Sequence, residues 1–432
     1  MSIDCLQSAG DGDHFDIYGG KRNAPLLRRV QSAQCHRNAV SCNIGTTRGD
    51  DPVRKTARLL TAAPVIASLV CASAVAAHAA TASAPPLAPG WRIAATFPAG
   101  SAIDHLAVSG PGSAWAVEQC AKPCKSADGV ILRHWNGKAW SAQPQPPLSK
   151  HTGNDEPQLA TAPGSKDVWA VYNVYDGKIR ASAAEWTGKS WGAATLFPVG
   201  VGFTSVVAAG PSDVWAFGLT KEWAQYAARF DGKAWSKVSL PGSGAGVWVA
   251  SARSADDIWA QSLAPKGISL AVSRWNGKRW VKQAVPAAPK GAEGVSGLGI
   301  VVSGRSDVWG YGYFGLGASS HTDWLVHFNG TSWSTVRNPY SLSQNIMSGP
   351  LGPDAHGGAW IEATPARGES EWLYHVSAAG HWLKLPIPAP KGAHGTTIED
   401  FAAIPGSTSV YAYGEAMTHS GQTEGVILKY GS

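Results

Sequence analysis

Charge is scarce in this chain. Only 15% of its 432 residues are Asp, Glu, Lys or Arg, too few for a solvated disordered polymer or a charge-laced coiled coil. Methionine occurs three times. Cysteine is confined: of the six, at 5, 35, 42, 71, 120 and 124, four precede residue 80. The remaining two form an even pair in "QCAKPCK". No CxxC partner accompanies them, so a zinc site would lack its further soft ligands. A local disulfide between Cys120 and Cys124 is expected in an exported chain. Beyond residue 79, 27 Lys and Arg against 24 Asp and Glu leave +3, dispersed along the sequence. No basic stripe is present, and no nucleic-acid partner is expected.

Long apolar runs are also missing, with one exception. Residues 54–82 read "RKTARLLTAAPVIASLVCASAVAAHAATA", a basic start, an apolar stretch and an "AHA" that fits an A-x-A cleavage rule. This has the form of a secretory signal peptide over 53–79; retention as an anchor is the alternative, against which Pro64 and the small closing residues speak. Residues 1–52 show neither helical nor strand period and read as a disordered extension, or as a start placed upstream of the true one at Val53. Residues 80–89 are a linker. The expected destination is extracellular, with no membrane span in the mature chain.

What is abundant is glycine, 50 residues, and tryptophan, 20. The tryptophans recur. A first anchor appears as "SAWAV" (Trp115), "DVWAV" (Trp169), "DVWAF" (Trp215), "DIWAQ" (Trp259), "DVWGY" (Trp309), "GAWIE" (Trp360) and "SVYAY" (Tyr411). A second follows as "HWNGKAW", "EWTGKSW", "RFDGKAW", "RWNGKRW", "HFNGTSW" and "HVSAAGHW", closing on Trp140, Trp191, Trp235, Trp280, Trp333 and Trp382. A fixed period of this length signals a repeat architecture. Each unit resolves into four short strands joined by Gly, Pro, Ser, Asp and Asn turns, and the Asn-Gly and Asp-Gly dipeptides read as hairpin turns with positive φ. The fold class is therefore all-β, a seven-bladed β-propeller with four-stranded blades.

The blades are expected at about 103–147, 157–198, 203–241, 246–286, 296–339, 345–388 and 397–432. The last lacks its closing strand, and "GWRIAATFP" (90–98) resembles "AWSAQPQPP" (139–147). The N-terminal strand of the mature chain is expected to complete that blade, with Trp91 as its closing Trp. The anchor aromatics then fill the space between facing sheets. Asp167, Asp213, Asp257 and Asp307 are expected to brace the turns before them.

On these motifs the chain resembles the kelch and Asp-box (BNR) repeats of seven-bladed propellers, and more closely the Trp-rich propeller repeats of secreted bacterial proteins. The resemblance implies the fold and no activity. It departs from kelch in lacking a double Gly after the second strand, and from the Asp-box in its Asp-to-Gly spacing. Sialidase-like, copper-oxidase-like and quinoprotein-like sites each fail residue by residue. The three converging Arg, the spare Cys and the docking motif are all missing.

Loops on a rigid scaffold are where a ligand would sit. Entering the inner strands are Asp104 and His105 in blade 1, Asp155 and Glu156 in blade 2, and Glu399 and Asp400 in blade 7. These blades are ring neighbours, so the acids can converge. They could hold Ca²⁺, hydrogen-bond sugar hydroxyls, or supply carboxyls for glycosidic cleavage; no other cofactor is expected. Trp248 stands outside the anchor positions and is a candidate for stacking on a sugar ring. No catalytic set is recognisable. The expectation is a monomeric, exported, non-catalytic module binding a glycan, cell-wall polymer or protein. The alternatives are a carbohydrate-active hydrolase or lyase working through the acids, or a protein-interaction platform.

Overall fold

The computed structural model describes residues 90–431, apart from 121–128, 148–155, 176, 243, 264–269, 289, 293, 316–320, 341–344, 347–349 and 366–371. Seven antiparallel sheets are arranged in a ring, and in all but the last the strands follow one another in sequence order across the sheet. Blade 3 illustrates the plan, with strands Val201–Gly210, Asp213–Thr220, Gln225–Phe230 and Trp235–Val238. Blade 6 departs from it, because two short pieces, Asn345–Ile346 and Leu351–Pro353, pair with its second strand Ala359–Pro365. In blade 7 the outer position is held by Trp91–Ala99, antiparallel to Thr423–Tyr430, with Trp91 opposite Tyr430. Among the described residues no helix is long and apolar enough to cross a membrane.

The anchors explain how the sheets adhere. The motif Trp of one blade meets the closing Trp of the next edge-on. Ring centroids are 5.3 Å apart for Trp169–Trp235, 5.4 Å for Trp215–Trp280, 5.6 Å for Trp259–Trp333 and 5.0 Å for Trp360–Trp91. Edge-to-face contact sets the positive rim of one indole against the negative face of another, worth about 0.5–1.5 kcal/mol beyond area burial. Each core cluster accordingly draws on two adjacent sheets. Polar side chains add stitches: Asn173 of blade 2 accepts from the Phe203 amide at 2.8 Å and donates to the Phe203 carbonyl at 2.9 Å.

Two turn expectations are corrected. The Asn and Asp of the hairpin motif are not in the left-handed region. Asn136, Asp231, Asn276 and Asn329 instead accept from the two amides that follow the glycine, at 3.0–3.1 Å. Only the glycine takes positive φ, as Gly232 at 90° does. A Cβ there would come within 2.9 Å of Ser212 in the neighbouring turn, so that position requires Gly on both counts.

The motif aspartates of blades 3 to 5, likewise, reach across the sheet to the third strand rather than only into the turn before them. Asp213 Oδ1 accepts from Trp215 Nε1 at 2.9 Å and from Arg229 Nε at 2.7 Å. Asp257 Oδ1 does the same with Trp259 and Arg274, both at 2.9 Å, and Asp307 accepts from His327 at 2.9 Å. The basic residue comes from the third strand, directly opposite the motif Trp. Blade 2 breaks the rule, since Glu185 stands opposite Trp169. Its carboxyl is pushed above the usual range by burial and by the nearby Asp167 charge, and Trp169 Nε1 is buried without an acceptor. Glu185→Arg should therefore raise the melting temperature by a few degrees, about 1 kcal/mol, in a thermal melt at pH 7. An unchanged or lower midpoint would show that the like charges cost nothing.

Candidate functional site

Four inner strands carry a β-bulge at one level. Asp104 in blade 1, Thr204 in blade 3, Trp248 in blade 4 and Glu399 in blade 7 are the extra residues there. Each lies three positions before the residue opposite its blade's motif aromatic. A bulge kinks the strand and re-aims a side chain. Most of the candidates read from the sequence fall at this level or one residue beyond it, as His105 and Asp400 do. The bulges themselves were not foreseen, because they arise from a mismatch between paired strands. Asp155, like Cys124, lies outside the described residues. Glu156 accepts from Gln119 Nε2 of blade 1.

Blades 7 and 1 do bring their acids together. Tyr413, fully buried on the second strand of blade 7, stands opposite Asp400. Burial, then the charges of Asp400, Glu399 and Asp104, raise its phenol well above the ordinary value, while a hydrogen bond with the Leu106 backbone opposes them. The same enclosure lifts the Asp400 carboxyl from 3.8 to about 7, helped by Glu399 and opposed by the Phe401 amide, which donates to it at 2.8 Å. His105, beside them, is lowered to about 4 by burial and accepts from the Leu159 amide at 3.4 Å. Protein surrounds these groups, yet Asp104, His105, Glu399 and Asp400 keep some accessible surface. Among the described residues no three His, Cys, Asp or Glu side chains are placed to hold a metal ion.

Asp400 makes a signed prediction. Unfolded, the carboxyl loses its proton near 3.8, whereas folded it keeps it to about 7. Its contribution is therefore favourable below pH 4 and is lost as pH rises through 7. Asp400→Asn should match the wild type near pH 4 and exceed it progressively up to pH 7. The gap between 3.8 and about 7 bounds the gain at roughly 4 kcal/mol. The partial exposure of Asp400 reduces this to an expected ~1–2 kcal/mol. Chemical denaturation of both proteins across pH 4–8 measures the difference, in which the opposite slope from His105 cancels. A constant difference across that range would contradict it.

Across the ring, blades 3 and 4 build an aromatic pair. Trp223, in the connection between the second and third strands of blade 3, is exposed and has φ of 62°. Its backbone is held in place: its amide donates to Thr220 and its carbonyl accepts from Gly246, at 2.9 and 2.8 Å. The ring lies 6.3 Å from that of Trp248, tilted by 33°. A left-handed Trp costs roughly 1–2 kcal/mol, so the chain displays this indole at the expense of local strain. Asp104, Glu399, Trp223 and Trp248 all belong to the end of the ring where inner strands begin and second strands finish, here termed the loop face.

A second concavity, of about 480 Å³, lies at the outer edge between blades 1 and 2 and is lined by Pro144, Gln145, Trp186 and Trp191. Two of its polar side chains are already engaged. Trp191 donates to the Pro144 carbonyl at 2.8 Å, and Gln145 to that of Val130 at 2.7 Å. The loop face is the better candidate.

The protein is thus a seven-bladed β-propeller whose loop face carries a cluster of acids at blades 7 and 1 and an indole pair at blades 3 and 4. No protein-family model and no curated protein matches the sequence. Among solved structures it is similar to a GH74 xyloglucanase from Xanthomonas campestris, with a TM-score of 0.47 and 15% identity over 76% of this chain and 53% of that one. It is also similar to a PL25 ulvan lyase, with a TM-score of 0.48 and 13% identity over 75% and 93% of the two chains. A fucose-specific lectin from Aleuria aurantia gives a TM-score of 0.38 and 18% identity over 55% and 77%. The chain spans about half the length of the xyloglucanase. At these identities the likeness is one of fold.

Proposed function

We propose that the chain is an extracellular glycan-binding module whose site is the loop face. The observation that carries this reading is Trp223, exposed and strained beside Trp248. An indole held outward at a cost in backbone energy is best explained by a flat partner such as the apolar face of a sugar ring. The carboxylates of Asp104 and Glu399 would accept from hydroxyls further along the chain of sugars. The signal-like 53–79 segment supports an extracellular setting.

A glycan array followed by titration of the positive ligand tests it. Trp223→Asn, which suits a left-handed backbone, should weaken binding about tenfold or more without lowering the melting temperature. Trp248→Ala should weaken it too. Saturable binding untouched by either change would overturn the reading.

The burial that raises the Asp400 carboxyl to about 7 favours a second reading, glycan cleavage, because a carboxyl that holds its proton toward neutral pH is what a general acid needs. Release of reducing ends from the bound glycan by the wild type, abolished in Asp400→Asn with binding retained, would support it. No release on long incubation leaves the binding module alone.

A further inference from the structure

The lysines, dispersed in the sequence, recur at the blade period. Lys138, Lys189, Lys233 and Lys278 each follow the hairpin glycine between the third and outer strands of blades 1 to 4, and Arg279 extends the last of them. In blade 5 the position is Thr331. These turns lie at the end of the ring opposite the loop face, together with the turns between first and second strands. A Cβ on Gly188 would sit 3.5 Å from Cβ of Lys166, and one on Gly277 3.0 Å from that of Asp256. Lys138, Lys166, Lys189, Lys233, Lys278 and Arg279 are all exposed, and among the described residues none of them has an ion-pair partner.

Two acids on that side are engaged within their own turns, while Asp167 and Glu185 of blade 2 stand there without a cation among the described residues. Asp231 accepts from its own turn amides, which with Lys233 hold its carboxyl below the usual range. Asp256 accepts from Ser254 at 2.5 Å and is lowered likewise. Asp104, Glu156, Glu222, Glu399 and Asp400 lie at the other end. The turn face therefore carries exposed cations over four consecutive blades, interrupted in blade 2 by Asp167 and Glu185, and the other gathers carboxylates.

We infer that the turn face of blades 1 to 4 docks a linear polyanionic glycan, one anionic group to each blade. The same turn recurs in each of these blades and sets its lysine at the equivalent position. A chain of acidic sugars repeats its charge regularly and can meet several lysines at once, whereas a compact anion meets one. Multiple weak pairings along one chain then add. This surface is independent of the stacking pair on the loop face, and its failure would leave that reading intact.

The test uses the full chain and measures affinity for polygalacturonate, with neutral dextran and single-stranded DNA as comparison polymers. One variant replaces Lys138, Lys189, Lys233 and Lys278 with Gln. A second removes the same charge from the loop face at Lys178, Lys221, Lys290 and Lys391. The turn variant should lose about tenfold or more of its affinity, since each exposed pairing is worth up to ~1 kcal/mol. The loop-face variant should keep its affinity, dextran should not bind, and added salt should weaken binding steeply. Melting temperatures should change little in either variant, because these side chains are exposed. Equal losses in the two variants, or DNA binding as tightly as the uronate polymer, would reduce the effect to net charge and overturn the inference. So would no binding by the wild type at low salt. Trp223→Asn should leave polygalacturonate affinity unaltered, which separates the two faces.

Discussion

Deleting Trp91–Ala99 is expected to abolish cooperative folding. That strand supplies the outer position of blade 7, pairing from Trp91 opposite Tyr430 to Ala99 opposite Glu424. Its loss would leave Thr423–Tyr430 as an open edge with unpaired backbone groups, an invitation to association between chains. It would also uncover the indole–aromatic cluster in which Trp91 lies 5.0 Å from Trp360, 6.0 Å from Phe401 and 5.4 Å from Tyr430. No other segment of the described chain can fill the place, because each of the other blades draws its strands from one continuous stretch. Size-exclusion chromatography and thermal denaturation of the truncated protein should show aggregation and no sharp transition. A synthetic 90–99 peptide added during refolding should restore part of the monomer. Trp91→Ala alone should cost about 3–5 kcal/mol. A truncated protein that melts as sharply as the wild type would mean that the ring holds without this pairing.

The blade pattern was legible in the sequence because it is local: an aromatic in a short strand, a turn, a second aromatic, repeated. The seam between residues 91 and 430 was legible because the last unit lacked a closing Trp and the first segment had one to spare. Other features depend on which residues face each other across strands. Asp213 finds Arg229, and Asp307 finds His327, only once the register is set. A sequence reading sees instead an Asp before a turn. The bulges at Asp104, Trp248 and Glu399 are mismatches between partners and leave no mark in either strand alone. Lys138, Lys189, Lys233 and Lys278 were visible as motif residues, but their gathering on one face follows from the ring. Dispersal along a repeat is concentration in space.

The same register-dependent contacts predict the largest single-residue effect within a blade. Asp257 is buried, and its two carboxylate oxygens receive the Trp259 indole and the Arg274 guanidinium at 2.9 Å and Arg253 at 3.3 Å. Arg274 also lies over the Trp259 ring, 5.1 Å from its centre, so one carboxylate fixes both the rotamer of the anchor indole and the cation above it. Asp257→Ala would strip the acceptor from three donors and leave a half-buried guanidinium uncompensated. Breaking such a pair from one side costs about 3–5 kcal/mol. Asp257→Asn keeps one oxygen for the indole but turns an amide toward Arg274, and should fall between the two. Arg274→Met, with its long apolar stem, should recover part of the loss when combined with Asp257→Ala, because the stranded charge is then gone. The neighbouring exposed Asp256→Ala should barely move the melting temperature. Urea denaturation of the four variants measures the series. If Asp257→Ala proves no worse than Asp256→Ala, the Asp–Trp–Arg contact is a passenger of the fold. If the double variant recovers stability, the repeated Asp and its third-strand cation are a coupled pair that locks each Trp between blades, and the recurrence of "SDVW" along the chain has its physical cause.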